Sequence, residues 1–258
     1  MVMGEGREER FWELDLLRGT AIIMMVVFHF LYDLAFFGGG GPEVHYGLWW
    51  YFARVTATIF ILLVGISLSL SYSRIEEVGM SKSDIFTKYI KRGLKLFSWG
   101  LVITLVTWIF LRSGFIIFGV LHFIGISIIL AYPFIRHRYI NLVLGTVIVP
   151  IGLYLGNFTF DSPLLIWLGF RPGYFYTFDY FPILPWFGVV LIGLFIGDTL
   201  YGGYNRRFNL IDLSGISSVR SLSFLGRHSL FIYLIHQPVL VAMLYLLGIV
   251  GNGFFSAL

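Results

Sequence analysis

Four ionisable side chains in the first apolar stretch of the chain fall on one face of a helix: Asp15, Arg18, His29 and Asp33. At 100° per residue, His29 lies about 20° from Arg18, and each aspartate about 60° from Arg18. The helical rise places His29 about 16 Å from Arg18, near the middle of a hydrocarbon core of about 30 Å. Asp33 is one turn beyond His29, where a carboxylate can fix the imidazole tautomer and raise its basicity. A lone histidine would fit packing equally well, but this alignment favours acid–base chemistry.

Histidines also occur in two later apolar stretches. His122 lies near one end of the fourth, and His236 lies deep in the last. Pro238 follows His236 and frees a backbone carbonyl, which can kink a helix toward a cavity. Taken singly, each histidine is compatible with packing as well as with ligand binding.

Further basic residues have two open interpretations each. Arg54 in the second stretch matches the depth of Asp33, so the two could form a neutralising ion pair or line an outer pocket. Arg227 and His228 lie near the inner end of the last stretch. They could form a basic rim there with Arg18, Lys91, Arg206 and Arg207. Positive charge at that end is equally expected from membrane topology and anionic lipid.

The elements that carry these residues belong to a membrane protein. The 258 residues are 58% hydrophobic and 12% charged, whereas an ordinary soluble domain is about 25% charged. This composition excludes most soluble enzymes and any disordered chain. The absence of cysteine excludes a thiol nucleophile, a disulfide framework and thiolate zinc sites. The six histidines have no short ligand spacing, so no metal is expected.

Seven stretches are apolar enough to cross a bilayer, at about twenty residues each. Their approximate bounds are 16–37, 48–71, 93–111, 117–135, 139–157, 182–200 and 222–249. They predict an all-α, polytopic integral membrane bundle in which residues 1–258 form a single transmembrane domain. The basic, amphipathic segment 73–92 is expected to form a separate surface helix.

The basic residues predict the orientation. Three lie near the start of the chain, six between the end of the second stretch and Lys95 at the start of the third, two between the fourth and fifth, and four between the sixth and the end of the last. Alternate loops on the other side receive Arg112 and Arg171. Because cytoplasmic loops collect Lys and Arg, we expect a cell-membrane protein with its N-terminus in the cytoplasm and its C-terminus outside. The net charge of +4 therefore indicates topology rather than nucleic-acid binding.

Several segments resemble membrane acyltransferases. Glu13-Leu14-Asp15-Leu16-Leu17-Arg18-Gly19 and Phe28-His29 are similar to the opening of the acyltransferase-3 family, which has ten residues between its Arg and His. The chain as a whole resembles the prokaryotic branch of the heparan-alpha-glucosaminide N-acetyltransferase catalytic-domain family. The supporting segments are Trp49-Trp50-Tyr51-Phe52, Leu63-Val64-Gly65-Ile66-Ser67, Gly119-Val120-Leu121-His122-Phe123-Ile124-Gly125, Pro185-Trp186-Phe187-Gly188, Leu225-Gly226-Arg227-His228-Ser229-Leu230 and His236-Gln237-Pro238.

This resemblance implies transfer of an acetyl group from cytoplasmic acetyl-CoA to a sugar amine or hydroxyl across the membrane. Arg18 and His29 correspond to the functional pair of the acyltransferase-3 pattern. Animal members of the second family use a histidine in the loop before helix two, which makes His45 a second catalytic candidate. This chain has fewer helices than those members.

The resulting hypothesis assigns catalysis to His29 and Asp33, with His45 as the alternative. The residues expected to bind the donor or the acceptor are Arg18, Arg54, His122, Asp179, Arg227, His228 and His236. Acetyl-CoA is the donor, the acceptor contains a sugar, and the chain contacts the bilayer, with a homodimer left open. The alternative function is a non-enzymatic carrier of sugar, lipid or protons, disfavoured by the lack of a visible inverted repeat. A retinal protein is excluded, because the last lysine is Lys95.

Overall fold

The computed structural model describes residues 10–111 and 113–250. They form eight α-helices, numbered in chain order: α1 Trp12–Phe36, α2 Gly47–Glu77, α3 Lys82–Leu111, α4 Val120–Ala131, α5 Arg138–Leu155, α6 Ile183–Tyr201, α7 Ser217–Arg227 and α8 Ser229–Leu246. Three short 3₁₀ helices also occur in this part of the chain: Tyr132–Phe134 after α4, Pro163–Leu168 between α5 and α6, and Gly202–Tyr204 after α6. Within this part of the chain the secondary structure is helical, with two isolated β-bridges, which confirms the all-α prediction.

Six helices are long and apolar enough to cross a membrane: α1, α2, α3, α5, α6 and α8. Their outward faces carry large apolar side chains, of which Trp108 and Ile109 on α3 are more than half exposed. The fourth predicted stretch is the short helix α4, which continues through a 3₁₀ turn to Phe134. The described chain is therefore a multi-pass membrane protein in which the fourth predicted stretch forms a helix shorter than a typical span.

The expected surface helix over 73–92 is not a separate element. α2 continues to Glu77, a turn follows with Gly79 at φ +71°, and α3 begins at Lys82. Ser81 and Asp84 bond reciprocally at this start: the Ser81 hydroxyl donates to the carboxylate (2.7 Å) and accepts from the Asp84 N–H (3.2 Å). The polar residues of 73–92 therefore extend two long helices.

The last predicted stretch, 222–249, is broken in two. α7 ends at Arg227, and α8 begins at Ser229 after the non-helical residue His228 (φ −101°, ψ 14°). α7 is amphipathic, with Val219, Ser223 and Gly226 on its buried face. Only α8 belongs to the set of spanning helices.

The chain divides into two compact units. The first unit runs to Phe60 and resumes at Leu210, so it holds α1, the start of α2, α7 and α8. The second unit is Ile61–Asn209. In the second unit α5 packs on α6, and α3 packs on α4 where Gly93 meets Gly125. Most of the ionisable candidates lie in the first unit.

Candidate active site

The first unit brings together two histidines from opposite ends of the chain. The rings of His29 on α1 and His236 on α8 lie edge to face, with centroids 4.8 Å apart and an interplanar angle of 74°. His236 is 9% exposed. The sequence named both residues, but only the packing of α8 on α1 makes them neighbours. We refer to them as the histidine pair.

Backbone carbonyls determine the tautomer of both rings. Nδ1 of His29 lies 2.8 Å from the carbonyl oxygen of Met25, and Nδ1 of His236 lies 2.6 Å from that of Tyr233. A carbonyl oxygen only accepts hydrogen bonds, so each Nδ1 carries the proton in the neutral ring. Each Nε2 therefore presents a lone pair on the side of the ring away from its own helix. The tautomer of His29 is thus fixed by Met25 rather than by the neighbouring carboxylate.

Asp33 is held from α8 as well. It is 3% exposed, and the side-chain amide of Gln237 donates to both of its carboxylate oxygens, at 2.8 and 2.9 Å. The observed partner of Asp33 is therefore Gln237, whereas the sequence suggested Arg54. The guanidinium of Arg54 lies over the ring of Trp50, 5.0 Å from its centroid.

Two acceptors at this site are buried and unbonded. Nε2 of His236 and Oε1 of Gln237 have no hydrogen-bond partner among the described residues. With Nε2 of His29 and the carboxylate of Asp33, they make the site rich in acceptors. Such a lining is completed by a molecule that brings N–H or O–H groups.

The N-terminal end of α1 carries an ion-pair cluster. Nη1 of Arg18 lies 2.8 Å from Oδ1 of Asp15, and Nε of Arg10 lies 3.6 Å from its Oδ2. The Asp15 side chain is 7% exposed, whereas that of Arg18 is 23% exposed. The four-residue face of α1 therefore separates into an ion pair at one end and, toward the other, His29 bonded to Met25 and Asp33 bonded to Gln237.

α7 crosses this end of α1 in backbone contact. A Cβ at Gly19 would overlap the carbonyl of Leu222, and one at Gly226 would overlap that of Asp15. The Ser223 hydroxyl adds a bond of 3.3 Å to the carbonyl of Trp12.

The crossing brings Arg227, next to Gly226, to the same end of the unit as Arg18. Arg227 and His228 are both exposed. Nδ1 of His228 bonds the carbonyl of Phe224 at 2.9 Å.

His45 lies in the loop between α1 and α2. Its ring contacts Tyr32 edge to face, with centroids 5.8 Å apart, and its backbone N–H donates to the Glu43 carboxylate at 3.0 Å. Tyr32 is three residues beyond His29 on α1. The second catalytic candidate is therefore exposed and packed on the same helix as the first.

His122 and Asp179 lie in the second unit and together cap α4. Nδ1 of His122 accepts from the Gly119 N–H at 3.2 Å, and its Nε2 lies 3.3 Å from the Thr104 hydroxyl. The Asp179 carboxylate accepts from the Val120 N–H at 3.0 Å. Both ring nitrogens of His122, which is 2% exposed, therefore have partners. These contacts favour a structural role for the two residues.

Gln237 is the participant that the sequence interpretation missed as a site residue. The sequence interpretation named it only as part of the His236-Gln237-Pro238 segment that supports the family resemblance. The signal was present, because an amide in an apolar helix needs a polar partner. Across the described residues, no group of three or more His, Asp or Glu side chains is placed to hold a metal ion.

One comparison with known proteins gave a match. A family model described as "Heparan-alpha-glucosaminide N-acetyltransferase, catalytic" matches residues 10–238, which is most of the chain. The match spans α1 and the first half of α8, so it includes the histidine pair. The family predicted from the sequence segments is thereby confirmed. The curated proteins and the solved structures gave no match.

Proposed function

Because the chain belongs to the catalytic family of heparan-alpha-glucosaminide N-acetyltransferases, we propose that it moves an acetyl group across the cell membrane. The donor is cytoplasmic acetyl-CoA, and the acceptor is an amine or hydroxyl of a sugar-containing molecule outside. The single observation that carries this proposal is the hydrogen bond from Nδ1–H of His29 to the Met25 carbonyl. Because this bond occupies Nδ1, the lone pair of Nε2 is available as a base inside a membrane helix.

The donor enters at the N-terminal end of α1. Arg18 and Arg227 bind its phosphates, because guanidinium groups bind phosphate in bidentate fashion, and His228 lies beside them. The extended arm of the donor then follows α1. The rise of about 16 Å from Arg18 to His29 brings the thioester to the histidine pair.

At the pair, Nε2 of His29 takes the proton of the acceptor as its nitrogen or oxygen attacks the thioester carbonyl. Asp33 stabilises the resulting imidazolium, since opposite charges attract strongly in a low-dielectric environment. An alternative route has Nε2 attack first and carry the acetyl group on the ring. Both routes need a free Nε2 on His29.

The acceptor approaches from the C-terminal end of α1, where His45 and Arg54 are exposed. His45 is the alternative base, and Arg54 contacts the acceptor together with Trp50. His236 lines the site from α8. The cap geometry of His122 and Asp179 gives no support to their direct contact with a substrate.

This route requires a defined topology. The N-terminus is cytoplasmic, the C-terminus is outside, and α4 crosses as a seventh, short segment. If α4 did not cross, Arg136 and Arg138 would lie opposite the basic residues between α2 and α3, against the usual charge bias.

The test is acetyl-CoA binding and acetyl transfer by the purified protein in detergent. Glucosamine serves as an acceptor with an amine, and glucose as one with hydroxyls only. The wild type is compared with His29→Ala, His45→Ala and, as a matched control, His137→Ala, an exposed histidine at the start of α5. We expect His29→Ala to abolish transfer and to keep acetyl-CoA binding.

Three outcomes would contradict parts of the proposal. Loss in His45→Ala with full transfer in His29→Ala would move the base to the loop. Folded wild-type protein that does not bind acetyl-CoA would remove the acyltransferase function. Sugar or proton uptake into proteoliposomes without acetyl-CoA would then favour the carrier.

A further inference from the structure

His236 is buried with an unbonded Nε2, and the base chemistry assigned to His29 gives it no task. A buried acceptor without a donor costs free energy. The neutral pair therefore holds two Nε2 lone pairs, of which that of His236 lacks a partner among the described residues. Two lone pairs cannot bond each other, but Nε2 of His236, on the ring that contacts His29, can accept a proton that His29 has taken up.

We propose that the histidine pair, neutral at rest, takes up one proton from the acceptor during transfer, and that His236 is a second catalytic residue, which delivers this proton to the departing CoA sulfur. The inference rests on the proposed acyl transfer. The pair does not hold two extra protons at once, because two imidazolium rings with centroids 4.8 Å apart repel each other. Asp33, one helical turn beyond His29 and bonded by Gln237, the residue after His236, supplies the countercharge for one.

The proton that the acceptor loses can reach the sulfur through this pair. The acceptor N–H or O–H bond breaks and its proton goes to Nε2 of His29, while the new bond to the acetyl carbon forms. The C–S bond breaks, and its electron pair leaves on the sulfur. The proton passes from Nε2 of His29 to Nε2 of His236 and then forms the S–H bond. Both rings end neutral, so no other acid or base is needed.

Burial explains why the sulfur needs an acid here. In water a thiol has a pKa of about 8.5 and leaves readily as the thiolate. In the low-dielectric interior of a helix bundle, a free thiolate loses its hydration and is costly. A nearby imidazolium neutralises it as it forms. General acid catalysis of this kind contributes about 10²- to 10⁴-fold, and a thiolate leaving group places the effect near the lower limit.

The experiment compares His236→Gln and His236→Phe with the wild type, with His137→Gln as the control. Phe keeps a ring against His29 but no nitrogen, and Gln keeps polarity but cannot carry the proton. We expect kcat for acetyl transfer to glucosamine to fall about 100-fold in both variants. The KM for acetyl-CoA and the thermal unfolding temperature should stay at wild-type values.

Three results would overturn the inference. The first is a kcat within threefold of wild type in either variant, which includes full activity in the Gln variant alone. The second is a loss carried by KM instead of kcat, and the third is unfolding of both variants, which would mean a packing role. A wild type that binds no acetyl-CoA would instead refute the proposed function. The two failures are therefore distinguishable.

Discussion

Removing the amide that holds Asp33 is the most direct probe of the α1–α8 contact. In Gln237→Leu the carboxylate, which is 3% exposed, loses the bonds of 2.8 and 2.9 Å. A hydrogen bond to a charged group contributes about 1.5–3 kcal/mol, and an unsatisfied buried charge adds to the cost. Because the two bonds share one nitrogen, we expect the free energy of unfolding to fall by about 3 kcal/mol.

The assay is thermal unfolding of the purified protein in detergent. For a chain of this size, 1 kcal/mol corresponds to about 2–4 °C, so the midpoint should fall by about 6–12 °C. Asn157→Leu, which removes an exposed amide, is the matched control and should leave the midpoint unchanged.

The double variant Asp33→Leu with Gln237→Leu sharpens the reasoning. Replacing both partners by apolar side chains of similar size leaves no orphaned charge, so its stability should lie within about 1 kcal/mol of wild type. A wild-type midpoint for Gln237→Leu alone would refute the assigned bond. The single variants Asp33→Leu and Gln237→Leu are measured beside it. A double variant whose loss of stability equals the sum of their two losses would refute the burial argument.

Three further predictions concern the rest of the first unit and the topology. Gly226→Ala forces a Cβ into the carbonyl of Asp15 and should lower the midpoint by about 4–10 °C, whereas Gly215→Ala, with open space around it, should not. Arg18→Gln should raise the KM for acetyl-CoA about tenfold with little change in kcat; an unchanged KM would remove Arg18 from the donor site. Because the chain has no native cysteine, a membrane-impermeant maleimide applied to intact cells should label Tyr174→Cys and not Ser214→Cys; the reverse pattern would invert the topology.

Local rules predicted the helices well and their ends poorly. The apolar runs located every spanning helix, because about twenty apolar residues are needed to cross the bilayer core. The break at His228 was missed, since α7 ends where its backbone meets α1 at Gly226, and no local signal marks that contact. The prediction of a separate surface helix over 73–92 was wrong, because the charges of this segment lie on the ends of two continuous helices.

The candidate site was predicted in part. His29, Asp33 and His236 were named from their type and depth. The expected partners of Asp33 differed from those observed, because Gln237 lies 204 residues away in the chain and reaches α1 only through tertiary packing. His122 and Asp179 carried the same residue-type signal as the site residues. Their contacts at the start of α4 distinguish them, and such contacts are invisible to spacing.

The sequence by itself determined the helical class, the membrane character, the family and the shared face of Asp15, Arg18, His29 and Asp33. Each follows from composition, from motif order or from the fixed geometry of a single helix. The tertiary structure decided which of these groups meet. It paired His29 with His236, assigned Gln237 to Asp33 and left two acceptors of the candidate site without a partner among the described residues. Helix packing is set by the fit of whole surfaces, in which residues distant in the chain become neighbours, so no local pattern contains it.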